Sequence, residues 1–248
     1  MDEAPILDVR DLHVSFELHA IDRYVEALRG VSLDVHAGEH VSIAGSSGAG
    51  KSSLLKAIYR TYLADAGEVW LRRGDGSRID LLTLADRDLA DVRDADVGYV
   101  SQFLRAEPRR GALDVVARSG QRRGLAPDAA RDAAAQALRE VNLGEQLWAT
   151  YPSLLSGGEK QRVNLAAGTI APPRLLLLDE PISALDPANR EAVLQRIDRL
   201  TDHGVAVLAV FHDAAVMERL ADRVVVVGDG QVRAAGSPAE VLAGVVTS

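Results

Sequence analysis

The spacing of hydrophobic and polar positions changes several times along the chain, and each change predicts a different element. From Ile6 to Phe16 apolar residues alternate partly with polar ones, and Val31 to Val35 does the same before a turn at Ala37-Gly38. A period of two puts alternate side chains on opposite faces, so these segments predict two strands of a half-buried antiparallel edge. His40 to Ala44 then enters a glycine-rich loop, and Ser52 to Tyr62 carries apolar residues at helical spacing. Between Ala66 and Gly98 the pattern predicts a short strand, a turn at Gly74-Asp75-Gly76 and a charged stretch, followed by an apolar segment from Val97 to Val100. From Ala112 to Leu155 the texture becomes alanine, arginine and leucine, punctuated by Gly124 and Pro127, which predicts a helical lobe inserted into an α/β core. Leu175 to Leu178 and Val205 to Phe211 are continuous apolar runs of parallel-strand type, with a crossover helix from Ala188 to Thr201 between them. Val224 to Val227 supplies a further strand, turned by Gly228-Asp229-Gly230, and Ala234 to Val246 predicts a short helix with Pro238 near its start.

Composition narrows the class. The 248 residues suffice for one large α/β domain or for a core with a smaller lobe. With 47% hydrophobic residues and a net charge of −8, the chain reads as folded rather than disordered. The longest apolar run, Gly204 to Phe211, is far shorter than the roughly 18 residues of a membrane helix. The opening Met-Asp-Glu-Ala-Pro-Ile lacks the basic and apolar regions of a secretory signal, so a cytoplasmic location is expected. There is no cysteine, which excludes disulfides and thiolate catalysis and leaves only nitrogen and oxygen ligands for any metal. The acidic balance argues against a large non-specific nucleic-acid surface. The local basic patch of Arg105, Arg109, Arg110, Arg118, Arg122 and Arg123 could still hold a polyanion, although a solvated edge of the helical lobe is the plainer reading.

Three segments carry chemistry. Gly45-Ser46-Ser47-Gly48-Ala49-Gly50-Lys51-Ser52, continued by Ser53, is a complete phosphate-binding loop placed between a strand and a helix. Its glycines let backbone N–H groups converge on phosphate, Lys51 reaches the β- and γ-phosphates, and the Ser52 hydroxyl can ligate magnesium. In Leu175-Leu176-Leu177-Leu178-Asp179-Glu180, an aspartate at the end of a buried strand suits the magnesium water shell, and the next carboxylate can polarise an attacking water. In Leu155-Ser156-Gly157-Gly158-Glu159, a serine and glycine amides at a helix start form a second phosphate nest.

These segments, with Gln102, Ser183-Ala184-Leu185-Asp186 and His212 in the same order, resemble the nucleotide-binding domain of ABC ATPases over essentially the whole chain. The resemblance implies an α/β P-loop fold with a mixed central sheet, an antiparallel edge subdomain and an inserted helical subdomain. Residues 1–111 and 168–248 would form the core and 112–167 the helical part. It further implies a Mg-dependent ATPase in which Glu180, His212, Gln102 and Lys51 act in catalysis, and in which Ser52, Gln102 and Asp179 serve the metal. Two such domains would pair head to tail, so that Ser156, Gly157 and Gly158 close on ATP held by the partner and Asp186 faces the other domain. Adenine would stack on Phe16 or, as second choice, Tyr24, across a long loop from Glu17 to Glu26. Ile182 stands where the family usually has threonine or serine, a change expected to affect loop packing rather than the metal.

A closer likeness is carried by the run from Gly98 to Arg105, by Pro108-Arg109, Tyr59, Thr61-Tyr62-Leu63, Arg162-Val163-Asn164 and Phe211-His212-Asp213. These resemble the PhnL family of the bacterial carbon–phosphorus lyase system, although Leu154-Leu155 before the signature serine departs slightly from its pattern. That likeness implies phosphonate catabolism, ATP-dependent formation of ribose 1-methylphosphonate 5-triphosphate, and association with a PhnK-like ATPase and with PhnG, PhnH, PhnI and PhnJ. The alternative is the ATPase subunit of a lipoprotein-releasing or small-molecule ABC transporter, whose membrane subunit is a separate chain. Direct phosphonate–ribose transfer would need a pocket that no motif here supplies, whereas ATP-driven rearrangement of an assembly would not.

Overall fold

A computed structural model of the chain describes residues 4–18, 23–101 and 109–245. The chain opens with a hairpin, β1 (Leu7–Leu18) and β2 (Arg23–Val35), paired antiparallel from Leu7 opposite Val35 to Leu18 opposite Arg23. The second strand therefore starts well before Val31. Both described ends of the segment read as a long loop are paired strand, with Glu17 opposite Tyr24 and Ser15 opposite Glu26, while residues 19–22 lie outside the described residues. Register shifts in β1, together with solvent-facing Tyr24, Glu26 and Arg29 on β2, blur the alternation that would have revealed it.

There follow β3 (His40–Ala44), α1 (Lys51–Ile58), β4 (Ala66–Arg72), β5 (Arg78–Asp80), α2 (Asp86–Ala95) and β6 (Val97–Val100). Next come α3 (Ala112–Arg122), α4 (Pro127–Glu140), α5 (Gly157–Thr169), β7 (Leu175–Asp179) and α6 (Pro187–Asp202). The chain continues through β8 (Ala206–Val210), α7 (Ala214–Leu220), β9 (Arg223–Gly228), β10 (Gln231–Gly236) and α8 (Pro238–Val245). Helix α1 is shorter than its pattern predicts because Arg60 takes a left-handed φ of 58° and the Thr61 and Tyr62 amides close on Lys56 O. The charged stretch before β6 is helix α2, in which only Leu89 and Val92 are buried, too few apolar positions to set a period. Residues from Ala234 to Gly236 belong to the edge strand β10, and the last helix begins only at Pro238.

The strands form two sheets: an antiparallel one in the order β2-β1-β4-β5, and a six-stranded one in the order β10-β9-β3-β8-β7-β6. In the larger sheet every neighbouring pair is parallel except β9 with β10, so the sheet is mixed. Strands β3, β7 and β8 are buried at every position, which is why their sequences are nearly all apolar. Their pleat divides two cores. Leu175, Leu177, Leu208, Val41 and Ile43 pack with α1 and the antiparallel sheet, while Leu176, Leu178, Val207 and Ala209 pack with the helices of the other side. Helices α3 and α4 pack on one another and both pack on α5. Among the described residues no helix is long and apolar enough to cross a membrane.

Candidate active site

Strands β3, β8, β7 and β6 are consecutive neighbours and all parallel, so their carboxyl ends open onto one edge of the sheet. Loops that carry functional side chains gather at such an edge in open α/β sheets. Here β3 leads into Gly45, β8 into Phe211-His212 and β6 into Ser101, while β7 ends on Asp179.

After β3 the chain turns so that α1 starts at Lys51 with Gly50 as its N-cap. Gly50 has a φ of 105°, and a Cβ there would lie 2.5 Å from Ala27 O, so a larger residue is excluded on both counts. No side chain among the described residues caps this helix, so its first N–H groups face the loop without an intrahelical acceptor. Lys51 is buried and curls back to donate from Nζ to Gly45 O and Ser46 O, each at 2.8 Å. Burial lowers its pKa, and the nearby Glu180 and Asp179 pull it back up. Ala49 is buried inside the turn, Ser46, Ser47 and Gly48 are exposed at its crest, and Ser53 stands in the first turn of α1. The loop is a curved strip of amides around a cation, chemistry suited to a polyphosphate.

Asp179 is buried at the end of β7 and accepts from the Ser52 hydroxyl on Oδ1 (2.8 Å) and, at longer range, from Tyr99 OH on Oδ2 (3.4 Å). Glu180 follows in a left-handed conformation, φ 54°, and its N–H donates to Val210 O (3.2 Å) across the β7–β8 pair. That turn brings its Oε1 to 2.7 Å from His212 Nε2, which donates when the carboxylate is ionised. A cavity of about 430 Å³ is lined by Glu180, Phe211 and His212. A second, of about 390 Å³, has Ser52, Tyr99 and Asp179 in its lining.

The structure thus brings Lys51, Ser52, Asp179, Glu180 and His212 together. Ser156, Gly157 and Gly158 share none of these contacts among the described residues. They begin α5, where the Ser156 hydroxyl accepts from Glu159 N–H (3.3 Å) and the Glu159 carboxylate accepts from Ser156 N–H (2.7 Å). That bond to Ser156 N–H lowers the pKa of Glu159. Asp186 caps α6 by accepting from Asn189 N–H (3.1 Å), which lowers its own pKa. Phe16 is half-buried, edge-on to Tyr62 at 4.8 Å between ring centroids, whereas Tyr24 is 65% exposed. Gln102, Phe103, Leu104, Arg105 and Pro108 lie outside the described residues.

The basic patch is not a plain solvated edge. Arg110, Arg118, Arg122 and Arg123 line the second cavity, and Arg123, at the end of α3, donates to Gly168 O on α5 (2.9 Å) and to Ala171 O just beyond it (3.2 Å). Sequence reasoning passes over Gln161 and gives no site role to Tyr99 and Asn164, which it quotes only for a likeness; the side chains of Tyr99, Gln161 and Asn164 touch Asp179, Glu180 and Ser101 respectively. The local pattern does not mark Gln161 and Arg162, which continue the polar run of Glu159 and Lys160, and only Asn164 stands between apolar neighbours; in the structure all three are buried. The donor set of Ser52 and Asp179 is all oxygen, as magnesium prefers, and the uncapped helix start beside Lys51 fits the phosphates that accompany it.

Comparison with known proteins bears on what such a site does. The family described as ABC transporter matches residues 28–183. The lipoprotein-releasing system ATP-binding protein LolD 2 of Caulobacter vibrioides is 38% identical over 229 residues, covering 92% of this chain and 96% of that protein. The arginine transport ATP-binding protein ArgV of Corynebacterium glutamicum is 34% identical over 226 residues, covering 88% and 87%. Among solved structures, a dimeric post-hydrolysis state of the ATP-binding cassette MJ0796 bound to ADP and Pi superposes with a TM-score of 0.85, at 28% identity over 94% of this chain and 98% of that one.

Proposed function

This chain belongs to the ABC transporter family, and from that premise we propose that it powers a membrane transporter of the lipoprotein-releasing or small-molecule type through a separate membrane-embedded subunit. It is an ATP-binding, ATP-hydrolysing subunit of the ABC type, with ATP and Mg²⁺ as its cofactors. The hydrogen bond between Glu180 and His212, beside Ser52 and Asp179, is the observation that carries the catalytic reading.

In this reading the phosphate loop from Gly45 to Ser53 holds the triphosphate, with Lys51 turning from its two carbonyl acceptors to the phosphate oxygens. Ser52 and Asp179 hold magnesium, which when bound supplies positive charge against the phosphate oxygens. Glu180 takes the proton of the attacking water, and His212 orients the carboxylate. Gln102 would assist the metal and water, Phe16 or Tyr24 would stack on adenine, and Ser156, Gly157 and Gly158, with Asp186, would complete the site of a second subunit placed head to tail. The dimeric form of MJ0796 supports that pairing. The carbon–phosphorus lyase reading, with PhnK-like, PhnG, PhnH, PhnI and PhnJ partners, rests on the sequence likeness alone. The transport names of LolD 2 and ArgV favour the transporter instead.

Glu180→Gln removes the base and keeps the shape. It is expected to lower kcat by about a hundredfold or more while ATP binding persists. Unchanged turnover would sink the assignment. Affinity purification of the native protein with ATP present tests the assembly: a stoichiometric permease is expected, and recovery of PhnG to PhnK would restore phosphonate processing.

A further inference from the structure

None of the roles just given uses Gln161, yet its side chain bonds the loop after β7 at two backbone positions. It is 3% exposed on α5, a little over one turn beyond Ser156. Its Nε2 donates to Glu180 O (2.5 Å) and its Oε1 accepts from Ala184 N–H (3.1 Å). One buried amide therefore spans the turn from Glu180 to Ala184. Ser183 closes the same turn from inside, its hydroxyl donating to Glu180 O (3.2 Å).

Glu180 needs such restraint. A residue with a Cβ in the left-handed region is strained and stays there only when its surroundings over-determine it. On one side its N–H is fixed by Val210 O, and on the other its carbonyl is fixed by Gln161. With both flanking peptide groups held, the Cα–Cβ direction is set, and it points the carboxylate at His212. Gly158, one turn earlier on α5, permits the approach, since a Cβ there would lie 2.8 Å from Ala184 O.

We propose that Gln161 is a positioning residue for hydrolysis: its amide clamps the backbone from Glu180 to Ala184 so that the Glu180 carboxylate meets His212. Because Gln161 and Ser156-Gly157-Gly158 share one helix, the clamp also links the face offered to a partner subunit with this chain's own carboxylate. The inference rests on the reading of Glu180 as the base.

The test is steady-state and single-turnover ATPase kinetics on the full chain carrying Gln161→Met, Glu180→Gln or both. Circular dichroism and binding of a fluorescent ATP analogue check each protein. Gln161→Met is expected to lower kcat about ten- to a hundredfold with KM and analogue affinity within about twofold of the parent. In the Glu180→Gln background the same change is expected to cost nothing further, because a clamp on an absent base has nothing left to position. An equal fractional loss in both backgrounds, or a wild-type kcat for Gln161→Met, would overturn the inference. If Gln161→Met does not fold, Gln161→Glu replaces it, keeping the acceptor for Ala184 N–H and losing the donor to Glu180 O. Normal turnover of Glu180→Gln would instead remove the reading on which the inference stands.

Discussion

His40 begins β3 with its ring wholly inside the protein, 1% exposed, near Phe211 and 3.4 Å from the Ser42 hydroxyl. Burial pushes its pKa from the usual 6.5 down to about 3, so the folded protein keeps the ring neutral where the unfolded chain would protonate it. Between those two values the unfolded state binds the extra proton, and stability therefore falls as pH drops. From about pH 7 to about pH 5 this one residue should remove about 2 kcal/mol, read from urea unfolding midpoints. A His40→Leu variant should lose that component while keeping the slope due to carboxylates. Identical slopes in the two proteins would contradict it. Gly50 makes a second prediction at this scale: Gly50→Ala forces a Cβ against Ala27 O at a φ of 105°. It should destabilise the fold by about 1–3 kcal/mol and weaken binding of an ATP analogue, both measurable on one purified protein.

Among the elements, β7 is the most legible from sequence and the most exacting in structure. Four leucines followed by two acids describe a strand buried on both faces, and β7 is buried at every position through Asp179, with Glu180 half-buried beyond it. Leu177→Ala should cost about 2–5 kcal/mol in urea unfolding, because Leu177 is fully buried in the core shared with α1. The phosphate loop and the Asp179-Glu180 pair are legible for the same reason: their residue types are dictated by local geometry and chemistry. Other features are not. Helix α2 is charged on most of its surface, β2 is exposed at alternate positions near Tyr24, and Gln161 acts through contacts 19 and 23 residues along the chain. Tertiary contacts decide such positions, and no short-range period records them.

At the scale of the whole molecule, the proposed head-to-tail pairing would set Ser156-Gly157-Gly158 of one copy against the phosphate loop of another. The Glu180→Gln protein with ATP and Mg²⁺ should therefore sediment at about twice its 26.5 kDa mass and return to monomer when nucleotide is removed. A mass that stays at the monomer value under saturating ATP would count against a self-pairing subunit. The order β3-β8-β7-β6 carries a further consequence. Adjacent strands are separated by about 4.8 Å of hydrogen-bonded backbone, so the sheet acts as a ruler for the lateral positions of Lys51, His212 and Asp179. Helices α3 and α4 enter after β6, beyond the last mark on that ruler. A change in how those two helices pack would leave the lateral spacing of Lys51, His212 and Asp179 where the backbone sets it.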